Sequence, residues 1–246
     1  MEELNKAVDL LLHSGHTVAF TGAGISVESG IPPFRGEGGL WNKYDPEVLD
    51  INFFYAHPLE SWQAIREIFY DFFNQARPNA AHTVLAKMES AGMLSSVITQ
   101  NIDNLHQLAG SKTVYEYHGN SSRLVCPECG NHTPVLEVDL SKLPPCCAAD
   151  GAVLKPDFIF FGEGIPEFAA RKSDEEARAA EVMLIIGSTG EVMPAAFIPK
   201  IARENGAKII EINPRESLFT RTISDIHLQG RAGEVMEKLA KKIGIA

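Results

Sequence analysis

Long apolar runs are missing from this chain of 246 residues. No stretch approaches the roughly 20 residues that a membrane-spanning helix needs, so no membrane partner is expected. The opening MEELNKAVDLLLHSG has neither the basic start nor the small-residue cleavage site of a secretory leader. A cytoplasmic location is the default expectation. Blocks of lysine and arginine are missing too, and the formal net charge is -10. That argues against a nucleic-acid backbone as a partner. An acidic surface suits basic protein segments, and it suits solubility equally well. Cysteine is scarce: there are four, all between positions 126 and 147, which is not the scatter of a disulfide framework. There is no G-x-S-x-G elbow, no P-loop Lys-Ser/Thr and no H-E-x-x-H. These absences disfavour a serine hydrolase, a P-loop kinase and a zincin.

What is present is organised around residues 16–36, HTVAFTGAGISVESGIPPFRG. His16–Phe20 reads as a buried strand that stops at Thr21-Gly22-Ala23-Gly24. A strand, a glycine turn and a helix start leave outward N–H groups that suit phosphate. The full G-x-G-x-x-G is not there, because position 27 is Val and the next glycine is Gly30. The turn therefore reads as a phosphate nest or as a tight strand–helix turn with no ligand.

Along the chain, helices are expected over about 2–13, 59–75, from 78–82 to Gly92, 167–179, 195–205 and 231–243. Strands are expected at 17–20, 96–99, 114–117, 158–161, 182–186, 208–212 and 225–228. Strands alternating with helices, several of them wholly apolar, point to a parallel sheet covered on both faces. In such sheets ligands bind beyond the carboxyl ends of the strands. Those ends read TGAG, TQNID, HGN, GSTGE and INP. A structural sheet does not need so many polar groups on one edge, so this edge points to a nucleotide-type site. Residues 35–58 are glycine-rich and aromatic, and a loop of that length is usually functional or an insert. The aromatics of 59–75 read as core packing, with part of that face available to line a groove.

Gln100, Asn101 and Asp103 stand at the end of an apolar strand. They could hold a ribose, a carboxamide or a water, or cap the following NLHQLAG segment. His118 ends a strand before a glycine, which makes it a better base candidate than His13, His57 or His227. His82 and His106 lie on expected helices and read as packing or surface residues. Cys126-Pro127-Glu128-Cys129 is half of a zinc knuckle. The other half is irregular: adjacent Cys146-Cys147, then Asp150. Cys126, Cys129 and one of the later pair read as three ligands, and the fourth is left open between the other cysteine of that pair and Asp150, with His132 behind them. The alternative is a degenerate module that packs without metal. Nothing nearby marks a catalytic zinc.

The segments TGAGISVESGIPPFRG, PNAAH, TQNIDNLHQLAG, HGN, CPEC, LKPDFIFFGEGIP, GSTGEVMPAA and INP together resemble the sirtuins, the Sir2 family of NAD-dependent protein deacylases. The resemblance covers most of the chain and keeps the family's order. It implies an α/β fold: a Rossmann-like parallel-sheet domain with a small inserted domain made of a helical part and a zinc ribbon. On that reading residues 1–34, 78–120 and 156–246 form the large domain. Residues 35–77 are the helical insert with the cofactor loop, and 121–155 are the ribbon. The implied cofactors are NAD and zinc, and the implied partner is an acyl-lysine-bearing protein or peptide substrate; a monomer is expected. Gly22, Ala23, Gly24 and Ser26 would approach the phosphates, and Phe34 and Arg35 would belong to the loop over the nicotinamide. Gln100, Asn101, Ile102 and Asp103 would surround the nicotinamide and its ribose. Gly187, Ser188, Thr189 and Asn213 would serve the pyrophosphate and adenosine. Ile159, Phe160, Phe161 and Gly162 would pair with the substrate and wall the acyl-lysine tunnel. Cys126, Cys129, Cys146 and Cys147 would hold the zinc. The implied catalytic residues are His118, as general base on a ribose hydroxyl, and Asn101.

Three departures stand out. Position 33 is Pro where deacetylases of the family commonly carry a carboxylate. Position 150 is Asp where the last zinc cysteine is expected. Members specialised for succinyl groups carry a Tyr-x-x-Arg pair, and here Ile65 and Ile68 occupy those places. An apolar tunnel rejects an unpaired carboxylate, so acetyl and longer neutral acyl groups are the expected substrates. The alternatives to a deacylase are an NAD-dependent protein ADP-ribosyltransferase and a non-catalytic NAD sensor.

Overall fold

The structure is a computed structural model, and it describes residues 2–34, 38–71 and 76–245. Helix α1 (Glu2–His13) leads into strand β1 (Thr17–Thr21), every residue of which is buried. Helix α4 (Ala80–Ser90) precedes β2 (Ser96–Thr99), and α5 (Leu105–Ala109) precedes β3 (Val114–Glu116). After an insertion come α6 (Glu167–Ala179), β7 (Val182–Ile186), α7 (Phe197–Glu204) and β8 (Lys208–Asn213). Helix α8 (Leu218–Thr222), β9 (Ile226–Gln229) and α9 (Ala232–Ile243) complete the chain.

Among the described residues six strands form one parallel sheet in the order β3-β2-β1-β7-β8-β9. The order reverses between β1 and β7, which is the dinucleotide-fold pattern with its crevice at that point. Alternation along the strands explains the two covered faces. Ala19, Val97, Leu184 and Ile210 face one core with Ala7 and Leu11 of α1, Leu85 of α4 and Met236 of α9. Val18, Phe20, Ile98, Met183 and Ile185 face the other with Ile198 and Ala202 of α7 and Phe219 of α8. Each of these Val, Leu, Ile, Phe and Met side chains, fully buried, contributes roughly 1.5–3 kcal/mol, and each Ala less.

The insertions build a third core. Helices α2 (Ile51–Ala56) and α3 (Pro58–Ile65) are followed by a π-helical turn over Arg66–Asp71. The expected helix thus ends as an α-helix at Ile65, and its last four positions, 72–75, lie outside the described residues. Strands β4 (Gly119–Val125), β5 (His132–Pro134) and β6 (Lys155–Phe158) pair antiparallel in the order β5-β4-β6. Trp62, Ile65 and Phe69 of the helical part pack with Leu124, Cys126, Leu154 and Phe158 of the ribbon. The Trp62 indole N–H donates to Leu154 O at 2.8 Å across that junction.

Four expectations are corrected. The strand placed at 158–161 lies at Lys155–Phe158, because β6 finds its partner in β4 while Phe161 crosses to Leu49 and Ile51. Strand β3 stops at Glu116, one residue short. The turn after Gly22 continues as tight 3-10 turns over Ala23–Ser29, not as an α-helix. Strands β4 and β5 went unseen, since a small ribbon lacks the long apolar alternation that marks a core strand.

Candidate active site and metal centre

The carboxyl ends of β1 and β7 touch main chain to main chain. Gly24 N–H donates to Gly187 O at 2.9 Å, and Gly22 N–H donates to Ile186 O at 3.0 Å. A Cβ on Gly24 would lie 2.6 Å from Gly187 Cα, and one on Gly187 would lie 2.2 Å from Ile25 N. Gly187 also sits at φ +66°, a region open at low cost only to glycine. The glycines of the turn are thus required by the approach of a second strand end.

Around this contact the polar groups converge. Asn101 Nδ2 donates to Gly22 O at 3.2 Å and to Ser26 Oγ at 3.1 Å. Ser26 Oγ donates to Asp103 Oδ2 at 2.6 Å. Burial raises the Asp103 carboxyl above its ordinary 3.8, opposed mainly by the Ser26 hydroxyl. Asp103 Oδ1 also accepts Leu105 N–H at 3.0 Å, so it caps α5 as well as facing Ser26. Gln100 Nε2 reaches Ser188 Oγ at 3.0 Å, and Asn213 Nδ2 reaches Ser188 O at 3.0 Å. Thr189 O accepts Leu218 N–H at 3.1 Å. Ile102 O accepts the Ser121 hydroxyl at 2.5 Å, and the Ile102 side chain packs on the third core. Phe34 lies with its ring centroid 5.3 Å from that of Trp41. Arg35 lies outside the described residues.

His118 has its ring Nδ1 at 3.1 Å from Gln100 O. A carbonyl oxygen only accepts, so Nδ1 carries the proton and Nε2 keeps a lone pair. Burial holds the imidazole below its ordinary 6.5, against the pull of the Gln100 carbonyl. Neutral imidazole with a free Nε2 is the form a base needs. His118 O accepts Ile159 N–H at 2.9 Å, so the segment of Ile159, Phe160, Phe161 and Gly162 starts beside the base. Phe160 is buried and stacked on Phe158, with ring centroids 5.2 Å apart, while Phe161 is exposed.

Two features of this edge were not singled out in the sequence. Glu211 on β8 is fully buried. Its carboxylate accepts from Asn213 Nδ2, Ser217 Oγ, Thr220 Oγ1 and Ser224 Oγ. It orders the loop that carries Asn213. A lone acidic residue in an otherwise apolar strand was the available signal. The second is a hydroxyl relay: Thr21 Oγ1 donates to Thr99 Oγ1 at 2.9 Å, and Thr99 Oγ1 accepts Asn101 N–H at 3.0 Å. Thr21 also meets His106 Nε2 at 2.9 Å. His82 and His106 are buried with ring centroids 4.9 Å apart, as the packing reading expected.

Four ligand atoms gather in the ribbon, from Cys126, Cys129, Cys147 and Asp150, all within 4.8 Å of one another. Cys129 Sγ and Cys147 Sγ are 3.8 Å apart. A tetrahedral zinc with Zn–S of about 2.3 Å places its sulfurs about 3.8 Å apart, so the residues fit that ion. Cys146 is the correction. It is exposed, with its Sγ 3.6 Å from Pro144 O. Adjacent residues on an extended chain point to opposite sides, so only Cys147 turns inward. Asp150 would take the fourth corner. The signal was in the spacing: Cys147-x2-Asp150-Gly151 repeats Cys126-x2-Cys129-Gly130. Both copies turn back alike, with Gly130 N–H on Cys126 O and Gly151 N–H on Cys147 O, each at 2.9 Å.

A family model described as the Sir2 family matches residues 22–194. The chain is 44% identical over 239 residues to an NAD-dependent protein deacylase 2 of Pyrobaculum aerophilum, covering 96% of this chain and 94% of that one. It is 42% identical to an NAD-dependent protein deacylase of Pyrococcus furiosus, covering 98% of each. A solved Sir2 structure described with a deacetylated p53 peptide and 3'-O-acetyl-ADP-ribose superposes with a TM-score of 0.94 at 39% identity, covering 99% of each chain. Another, described with a p53 peptide and NAD+, gives a TM-score of 0.91 at 38% identity, again covering 99% of each.

Proposed function

The chain belongs to the Sir2 family, and from that membership we propose that it is an NAD-dependent protein-lysine deacylase. The observation that carries the proposal is the placement of His118. Its proton is fixed on Nδ1 by Gln100 O, its Nε2 is free, and the Asn101–Ser26–Asp103 chain lies on the same strand ends. The donor set of that crevice suits a dinucleotide: amides, hydroxyls and one carboxylate at the carboxyl ends of β1, β2, β7 and β8. NAD, when bound, would supply the ADP-ribosyl group that takes first the acyl oxygen and then the acyl carbon, with nicotinamide as the leaving group, and a water molecule would complete the release of the amine, so the products are lysine, nicotinamide and O-acyl-ADP-ribose.

The residues divide the work. Gly22, Ala23, Gly24 and Ser26 hold the phosphates, and Gly187, Ser188, Thr189 and Asn213 hold the pyrophosphate and adenosine side. Gln100, Asn101, Ile102 and Asp103 orient the nicotinamide and its ribose, with Phe34 at that end; the family resemblance assigns Arg35 the same task. His118 Nε2 takes the proton of a ribose hydroxyl. Ile159, Phe160, Phe161 and Gly162 form the wall and edge that receive the acyl-lysine. Zinc on Cys126, Cys129, Cys147 and Asp150 holds the ribbon that carries β6.

The acyl group is neutral. Ile65 and Ile68 are buried in the aromatic core that includes Phe158 and Phe160. Arg66, the nearest cation in sequence, is turned to Leu140 O and Asp71. A succinyl carboxylate there would be desolvated without a partner, at a cost of several kcal/mol, on the order of that for an unpaired buried charge. The test incubates acetyl, fatty-acyl and succinyl forms of one lysine peptide with NAD and follows both products by mass spectrometry. Free lysine peptide and O-acyl-ADP-ribose from the neutral substrates are expected. Preference for the succinyl peptide would overturn the specificity. ADP-ribosylated protein in place of O-acyl-ADP-ribose would overturn the deacylase reading.

A further inference from the structure

Lys155 is a buried cation that the reaction does not use. Its side chain is 9% exposed, and it opens β6 four residues before the acyl-lysine wall. The ammonium donates to Pro156 O at 3.0 Å, to Phe158 O at 2.8 Å and to Glu163 Oε2 at 3.0 Å. Three donors meet three acceptors, so the group is fully satisfied. It also lies 4.7 Å from the centroid of the Phe160 ring, within cation–π reach. Glu163 closes the turn from the other end. Its Oε2 accepts Phe160 N–H at 2.7 Å, and its own N–H donates to Phe160 O at 3.1 Å.

One ion pair therefore ties residue 155 to residue 163 and grips the main chain between them at Pro156, Phe158 and Phe160. The flanks of the same segment are fixed as well. Ile159 N–H donates to His118 O, and Phe161 bonds Leu49 O and Ile51 N–H. Desolvation works against a buried ammonium, and here it pulls Lys155 below its ordinary range while Glu163 opposes it. An apolar pair of the same volume would fill the space at least as stably. What it would not do is hold the Pro156 and Phe158 carbonyls and the Phe160 N–H of the turn in register.

We infer that Lys155 and Glu163 are positioning residues: a buried clamp that sets the Ile159–Gly162 main chain and the Phe160 ring as the docking edge for the acyl-lysine peptide, without a part in NAD binding. The inference rests on the deacylase reading of that segment.

The experiment compares K155M, E163Q and the double variant K155M/E163Q with the wild type. It measures peptide KM at saturating NAD, ADP-ribose affinity by calorimetry, and thermal midpoint. The single variants should raise peptide KM by at least about ten-fold, with ADP-ribose affinity within about two-fold of wild type. Each single variant strands one charge or one set of carbonyls and lowers the midpoint. The double variant strands no charge, so its midpoint should return toward wild type, while its peptide KM stays raised because the clamp is gone. Unchanged peptide KM in E163Q, which keeps shape and an acceptor for Phe160 N–H, would overturn the clamp. So would a peptide KM that recovers with the midpoint in the double variant, or an ADP-ribose affinity that falls in parallel. A wild type that deacylates no peptide would instead overturn the deacylase reading, and the clamp with it.

Discussion

His118 keeps its proton on Nδ1 because Gln100 O faces that nitrogen, and burial lowers the imidazole below its ordinary value. Two outcomes follow for this residue. H118A should lower deacylation by about 10²–10⁴-fold while leaving some exchange of labelled nicotinamide into NAD, because in the proposed function His118 serves the ribose hydroxyl and not the departure of nicotinamide. The pH profile of the wild type should be level near neutrality and fall only below the ordinary histidine value of 6.5, since protonation of Nε2 removes the base and the native value is depressed. A profile that already falls on going from pH 8 to pH 7 would contradict that assignment. At Gly187 the argument is steric. G187A puts a methyl 2.2 Å from Ile25 N and a side chain at φ +66°. The backbone strain alone is about 1–2 kcal/mol, and the overlap pushes the two strand ends apart. ADP-ribose binding, read by calorimetry, should be lost with more than the change in thermal stability explains.

At the scale of elements, the ribbon is two matched turns whose four candidate ligands face one point. Each turn is a Cys, two residues, a second candidate ligand and a glycine, and that second position is Cys129 in one and Asp150 in the other. Metal analysis of purified protein should therefore find one zinc per chain in the wild type and in C146S, and loss of it in C147S and D150A. D150C should keep the metal and release it more slowly to a chelator, because thiolate is the softer ligand. Retention of zinc by D150A with loss in C146S would reverse the ligand assignment. The element most altered from its expected form is the segment after β6. It reads as a strand because it is apolar, FIFF, but a run of that kind does not say which neighbour it pairs with. In the fold Phe158 closes β6, Ile159 bonds His118 just beyond β3, and Phe161 bonds Leu49 and the first N–H of α2, so the segment after Phe158 links the end of the large sheet to the helical part of the small module.

Over the whole molecule, acid should unfold this chain through its buried histidines. Burial lowers His82 to about 4, and burial with the neighbouring His82 ring lowers His106 to about 3. The unfolded chain binds those two protons from about 6.5 downward, whereas the native chain refuses them. Stability is therefore fully present above 6.5 and is lost as pH falls toward 4 and then 3. With both protons at issue the slope reaches about 2.7 kcal/mol per pH unit. Urea unfolding between pH 7 and pH 4 checks this, and a double H82Q/H106Q variant should show a shallower slope. Equal slopes in the two proteins would remove the histidines from the account.

The sequence by itself determined the sheet and its functional edge. Strands such as Val182–Ile186 are apolar throughout and too short for helices, so they had to lie inside a parallel sheet. Their polar ends had to gather on one side, because parallel strands all finish there. His118, Asn101 and the glycines of Thr21–Gly24 were legible for the same reason, as chemistry placed where an apolar strand stops. Only the tertiary structure decided which groups share a partner. It set Asp150 in the place of Cys146, since a ligand is chosen by which way a side chain faces and not by its element of sequence. It turned Glu211 inward to Asn213 and its loop, and it joined Lys155 to Glu163 across a turn. Each of these is a polar group whose cost of burial is offset by a neighbour that spacing alone does not identify.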